Sequence, residues 1–126
     1  MKRCYLGAGL LLCLLLAGIL STRWMERHHE RLAGEVRRAT ALVLEGETEQ
    51  AAALARQTRH DWENKWGLSA AIADHEPMER VDALFDQLET YAEAREYVAF
   101  AGCCSQLASE LEAMADASSF KWWNLL

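Results

Sequence analysis

The chain has 126 residues, of which about 100 lie beyond an apolar N-terminus; that is one small domain and leaves no room for a second. A single proline, with Ala, Leu, Glu and Arg abundant beyond residue 24, favours helix and argues against strands, so the fold class is all-α. Thirteen basic residues stand against nineteen acidic ones; with Lys2, Arg3 and Arg23 set aside the remainder carries −9, which argues against a nucleic-acid partner and repels anionic headgroups.

From Cys4 to Leu20 no residue is charged, Lys2 and Arg3 precede the run, and Ser21, Thr22 and Arg23 close it. Its length, about 17 residues, is short for a spanning helix and long for the apolar part of a cleaved signal. A cleavage site wants small residues at the first and third positions before the cut, but Ala17 has Leu15 two positions earlier and Gly18 has Leu16. Retention as a single-pass anchor in the cell membrane is the favoured reading. Leu10, Leu11 and Leu12 before Cys13 argue against a lipoprotein-type cysteine. Orientation has two arguments. Arg23, Arg27, Arg31, Arg37 and Arg38 outnumber Lys2 and Arg3, which by count keeps the following domain inside. The layout of basic start, apolar run and polar exit is that of an export signal, and on it the domain is placed outside the cytoplasm.

The divisions are then 1–23 as anchor, 24–116 as helical domain and 117–126 as an aromatic tail. Met25, His28, Leu32, Val36, Ala39, Leu42 and Val43 share one helical face, so a first helix continues the apolar segment. Gly46 suits a left-handed cap, and Thr48 begins a second helix. That helix carries Ala51, Leu54, Ala55, Thr58, Trp62, Trp66, Ser69, Ile72 and Ala73, and is predicted to run to Asp74, His75 and Glu76, since Pro77 disfavours helix before it. Val81, Leu84, Phe85, Leu88 and Tyr91 stripe a third helix, with Pro77 in its first turn. A weak break over 93–96 precedes a fourth, striped by Tyr97, Phe100, Ala101, Cys104, Leu107, Ala108, Leu111 and Met114 and interrupted at Ser118 and Ser119. Short connections make neighbours antiparallel, in a four-helix bundle or a pair of stacked helical hairpins; no repeat near 34 residues appears, which favours the bundle.

Trp62, Trp66, Asp74, His75, Glu76, Glu79, Val81, Asp82, Leu84, Leu88 and Tyr91, with a closing Asn124, Leu125 and Leu126, form a pattern that resembles the family catalogued as domain of unknown function 4363. Its members are short proteins, mostly of spore-forming bacteria, with an N-terminal membrane segment. The resemblance implies a membrane-anchored helical module and brings no catalytic residues with it. Pro77 after the Asp-His-Glu and the paired tryptophans near the end depart from the pattern.

Asp74, His75, Glu76, Glu79 and Asp82 gather metal-capable and acid–base side chains within three helical turns, the best site candidate on these grounds. The plainer reading has Asp74 or His75 capping the third helix, with the carboxylates set against its dipole. The spacing of a His-Glu-x-x-His metal site is missing. His28 and His29 read as a solvated juxtamembrane pair, kept from His60 by the register of the hairpin. Trp62 and Trp66, one turn apart, read as core before they read as an aromatic cage. Cys103 and Cys104 read as buried thiols before a vicinal redox or metal-binding pair, because adjacent helical residues diverge by about 100°. Trp122 and Trp123, with Phe120 and Lys121, are placed at the membrane interface by a fourth helix that returns to the bilayer; a tail folded over the open bundle end is the alternative. The expected function is a non-catalytic, membrane-tethered interaction module with a protein partner and no cofactor. The alternative is a metal- or pH-responsive domain built on His75 and its carboxylates.

Overall fold

The computed structural model describes residues 1–65 and 75–123, with side chains as far as 117. Among the described residues the helices are α1 (Lys2–Leu44), α2 (Thr48–Asn64), α3 (His75–Glu93) and α4 (Tyr97–Trp123), and there is no strand.

The first of these is one unbroken helix of 43 residues, about 65 Å long at 1.5 Å per residue. Its N-terminal part includes a stretch long and apolar enough to cross a membrane, none of which the rest of the protein covers. No break separates that stretch from the bundle. The Thr22 hydroxyl donates to Gly18 O at 3.0 Å, so the polar exit satisfies itself within the helix. From His28 onward α1 is a core element, burying Leu32, Ala33, Val36, Ala39 and Leu42.

Two turns reverse the chain by the same device. Glu47 N–H donates to Leu42 O at 2.9 Å and Gly46 N–H to Val43 O at 3.1 Å, a Schellman closure in which Gly46 takes φ +82°. After α3, Glu96 N–H donates to Tyr91 O at 2.9 Å and Arg95 N–H to Ala92 O at 3.2 Å, with Arg95 at φ 56° in the glycine position. Helix α2 buries Ala51, Ala52, Ala55 and Thr58, whose small size brings it close to α1. Thr58 is fully buried yet satisfied, donating to Leu54 O at 2.8 Å and lying 3.1 Å from Glu35 Oε2.

Two predicted boundaries differ from those observed. Helix α2 stops at Asn64, ten residues before 74, with Lys65 as its C-cap. Asn64 is a weak helix former, and its amide turns to His60 Nε2 at 3.0 Å. Trp66, Ser69, Ile72 and Ala73, predicted on this helix, lie outside the described residues. At the other end α4 does not stop at 116 but passes through Ser118 and Ser119 to Trp123. Serine costs a helix only a few tenths of a kcal/mol, about 0.5, and no glycine or proline is there to stop it.

The most extensive interface joins α1 to α4; α1 also packs on α2, α3 on α4, and a shorter α2–α3 seam closes the ring, as in an up-down bundle. Ion pairs follow the antiparallel register. Arg37 grips Glu112 with two hydrogen bonds of 2.8 and 2.9 Å, Arg59 reaches Asp86 at 2.6 Å, and Arg80 reaches Glu110 at 3.4 Å. Trp123 lies eleven residues beyond Glu112, about 16 Å of helix, so α4 ends level with the region of Glu26 on α1. That end, next to the apolar stretch, is called the near end below; the Gly46 and Arg95 turns form the far end.

Candidate functional site

The chemistry-bearing groups converge at the near end. Trp24 and His28 are one turn apart on α1, and their rings stack with centroids 5.7 Å apart and planes within 8°. His29, the next residue, is turned about 100° around the helix toward α2, where its ring meets Trp62 at 6.0 Å. The two imidazoles are themselves 6.0 Å apart. Trp62, 4 % exposed, donates its indole N–H to Asp82 Oδ1 on α3 at 2.8 Å, and Lys65 places its ammonium 4.7 Å from the centre of the Trp24 ring. Four rings thus run from the edge of the bundle into the α1–α2 interface.

His28 is 8 % exposed and His29 3 %, and among the described residues neither His28 Nε2 nor His29 Nδ1 has a hydrogen-bond partner. Burial, reinforced by the nearby positive charges of Lys65, His29 and Arg31, pushes His28 down to about 4, against a smaller opposing pull from Asp61. Burial alone lowers His29. Both rings are neutral at pH 7.

The predicted solvated pair is therefore a buried pair. His28 lies on the predicted stripe; His29, off it, is buried because Trp62, near the end of the shortened α2, lands on it. Hairpin register is not what keeps His60 from the pair. His60 sits only two residues before Trp62, at nearly the height of His29, and is held apart because its ring faces outward to Asn64.

The described members of the acidic cluster are not assembled into one site. His75, Glu76 and Glu79 are exposed in the first turns of α3, Glu76 pairs with Arg80 at 3.7 Å, and Asp74 lies outside the described residues. Asp82, counted with them from sequence, instead receives the Trp62 indole. Among the described residues no three or more His, Cys, Asp and Glu side chains come together as metal ligands would. Trp62 is core, and Trp66 lies outside the described residues. Cys103 and Cys104 are buried as expected; Cys103 donates to Leu84 O at 3.4 Å, and burial pushes the thiols up to about 11 and about 12, far from a reactive thiolate. Trp122 and Trp123 end α4, with side chains outside those described. Between α2 and α3, Ala52, Ala55, Phe85 and Leu88 floor a pocket of about 10 Å³ under Arg56 and Glu89, room for one water and not for a metabolite.

Comparison of the chain with family models, with curated proteins and with solved structures finds no match.

Proposed function

We propose that this protein is a non-catalytic interaction module held at a cell membrane by the N-terminal half of α1, with its acidic bundle on the extracytoplasmic side and engaged with a protein partner in or beside the same bilayer. One observation carries the reading: an apolar stretch with no protein cover runs without a break into the central helix of the bundle. An uncovered apolar surface of that length demands lipid or another apolar surface, and helical continuity fixes the bundle against it. The near end is built for such a boundary. Trp24 is half exposed beneath Lys65, and α4 returns to this level with Phe120, Lys121, Trp122 and Trp123, residue types that favour the interfacial zone. The far end supplies a contact surface, since Leu44 is 81 % exposed and Val98 91 % exposed beside the two tight turns. Membership of the domain of unknown function 4363 family is part of the same proposal.

The test is photocrosslinking in intact membranes with a benzophenone side chain at Val98 or Leu44. A discrete heavier species on gels, lost when the label moves to an inward-facing α4 position, is expected. Recovery of free monomer alone from every labelled position contradicts the partner.

A further inference from the structure

The near end carries a feature that neither an anchor nor a docking surface needs: two adjacent histidines, each more than nine-tenths buried, each with a ring nitrogen that has no partner among the described residues. A buried polar atom without a partner is destabilising, and leucine or phenylalanine would fill the same space without that cost. We propose that His28 and His29 form a proton-sensitive latch: protonation of either ring frees the last turn of α2 from α1 and opens the near end of the bundle, while the α3–α4 core stays closed.

The surroundings set the direction. Among the described residues the charged neighbours are Arg31 on α1 and Asp61 and Lys65 on α2, with Asp82 on α3 behind the Trp62 indole. Two of these are cations. Asp61 is shared with Arg31 at 3.5 Å and Asp82 is taken by the Trp62 indole, so neither carboxylate is free to receive a new imidazolium without giving up its present partner. A neutral His28 stacks on Trp24 and a neutral His29 meets Trp62 at a tilt, with no charge to desolvate. A charged ring sits in that ring column beside Lys65 and Arg31 and gains hydration only by leaving. The element with least holding it is the end of α2, since its seam with α3 is short and Trp62 is its buried aromatic anchor there. Because burial depresses both histidines, the unfolded or opened form binds the proton first, and opening grows as pH falls below about 6.5.

The test uses the full chain in phosphatidylcholine nanodiscs and follows amide hydrogen exchange between pH 7.5 and 5, corrected for intrinsic rates. Peptides covering 24–33 and 58–65 are expected to lose about tenfold or more in protection, with 100–111 unchanged, and the His28→Phe/His29→Phe variant is expected to lose none. Equal loss in the variant, or no loss in the native chain, overturns the proposal. Should the variant not fold, the native chain still decides by NMR. Imidazole midpoints below 6, moving together with disappearance of the Trp62 indole proton, support the latch; midpoints near 6.5 with an unchanged indole signal refute it.

Discussion

Trp62 is the side chain through which three helices meet, and replacing it separates the contributions that hold the near end. Trp62→Ala removes a nearly fully buried indole, a loss of about 3–5 kcal/mol from transferred area and cavity. It also strands Asp82, whose oxygen accepts the indole N–H at 2.8 Å. A bond to a carboxylate is worth about 1.5–3 kcal/mol, and Asp82 is only half buried and can recover water, so the lower figure applies. The sum, about 5 kcal/mol, is a third or more of the whole stability of a domain this size. Trp62→Phe keeps most of the ring contact with His29 and loses chiefly the hydrogen bond, about 2 kcal/mol. A double-mutant cycle of Trp62→Phe with Asp82→Leu isolates the bond and is expected to give a coupling of about 1–1.5 kcal/mol. Urea unfolding of the full chain in nanodiscs, followed by circular dichroism, measures all four corners. A Trp62→Ala loss below 1 kcal/mol would remove this residue from the core, and a coupling near zero would show that the indole and Asp82 do not meet.

Other expectations follow from single positions. Gly46→Ala should cost about 1 kcal/mol, because φ +82° is strained for any side chain, whereas Gly34→Ala, in open helix, should gain up to about 1 kcal/mol; urea midpoints moving in opposite directions are the check. Arg95→Gly should stabilise by a few tenths to about 1 kcal/mol, since a non-glycine residue now fills the left-handed position of the second turn. His28 binds a proton less readily folded than unfolded, with its ordinary 6.5 lowered to about 4, so its contribution is complete above pH 6.5 and falls away as pH drops toward 4. The ceiling on that loss is about 3 kcal/mol, read as the difference in acid-limb slope between the native chain and His28→Phe. Cys103 and Cys104 should resist a maleimide at pH 7.5 until denaturant is added; labelling of the native fold within minutes would contradict their burial.

Much of the helical frame was legible because long apolar periodicity and glycine leave unambiguous marks. The run from Cys4 to Leu20, the continuation of α1 into the bundle, the Gly46 cap, Pro77 in the first turn of α3 and the Leu107 and Leu111 stripe all read from residue type and spacing. Other boundaries did not. Asn64 and Lys65 end α2 with Gly67 two positions on in sequence, a breaker set inside an apolar period that runs on to Ala73, and Ser118 and Ser119 resemble a stop yet sit within α4. The burial of the histidine pair is hidden from the sequence for a related reason. On one helix, adjacent residues face about 100° apart, so His29 looked outward from a stripe that already contained His28; only the arrival of Trp62 from α2 makes that second face interior. Asp82 was counted with an acidic cluster because sequence cannot show that its partner is an indole twenty residues earlier.

Nitroxide scanning along α1, with one label at a time from position 6 to position 32 of the chain in nanodiscs, tests the central claim most directly. If the apolar half lies in lipid and continues as the bundle helix, labels at 6–20 relax with oxygen and not with an aqueous paramagnetic reagent. The crossover then falls at 21–24, and one unbroken 3.6-residue periodicity extends through His28 to Leu32. Labels at 6–20 open to the aqueous reagent, or a loss of periodicity between Ser21 and Trp24, would contradict it.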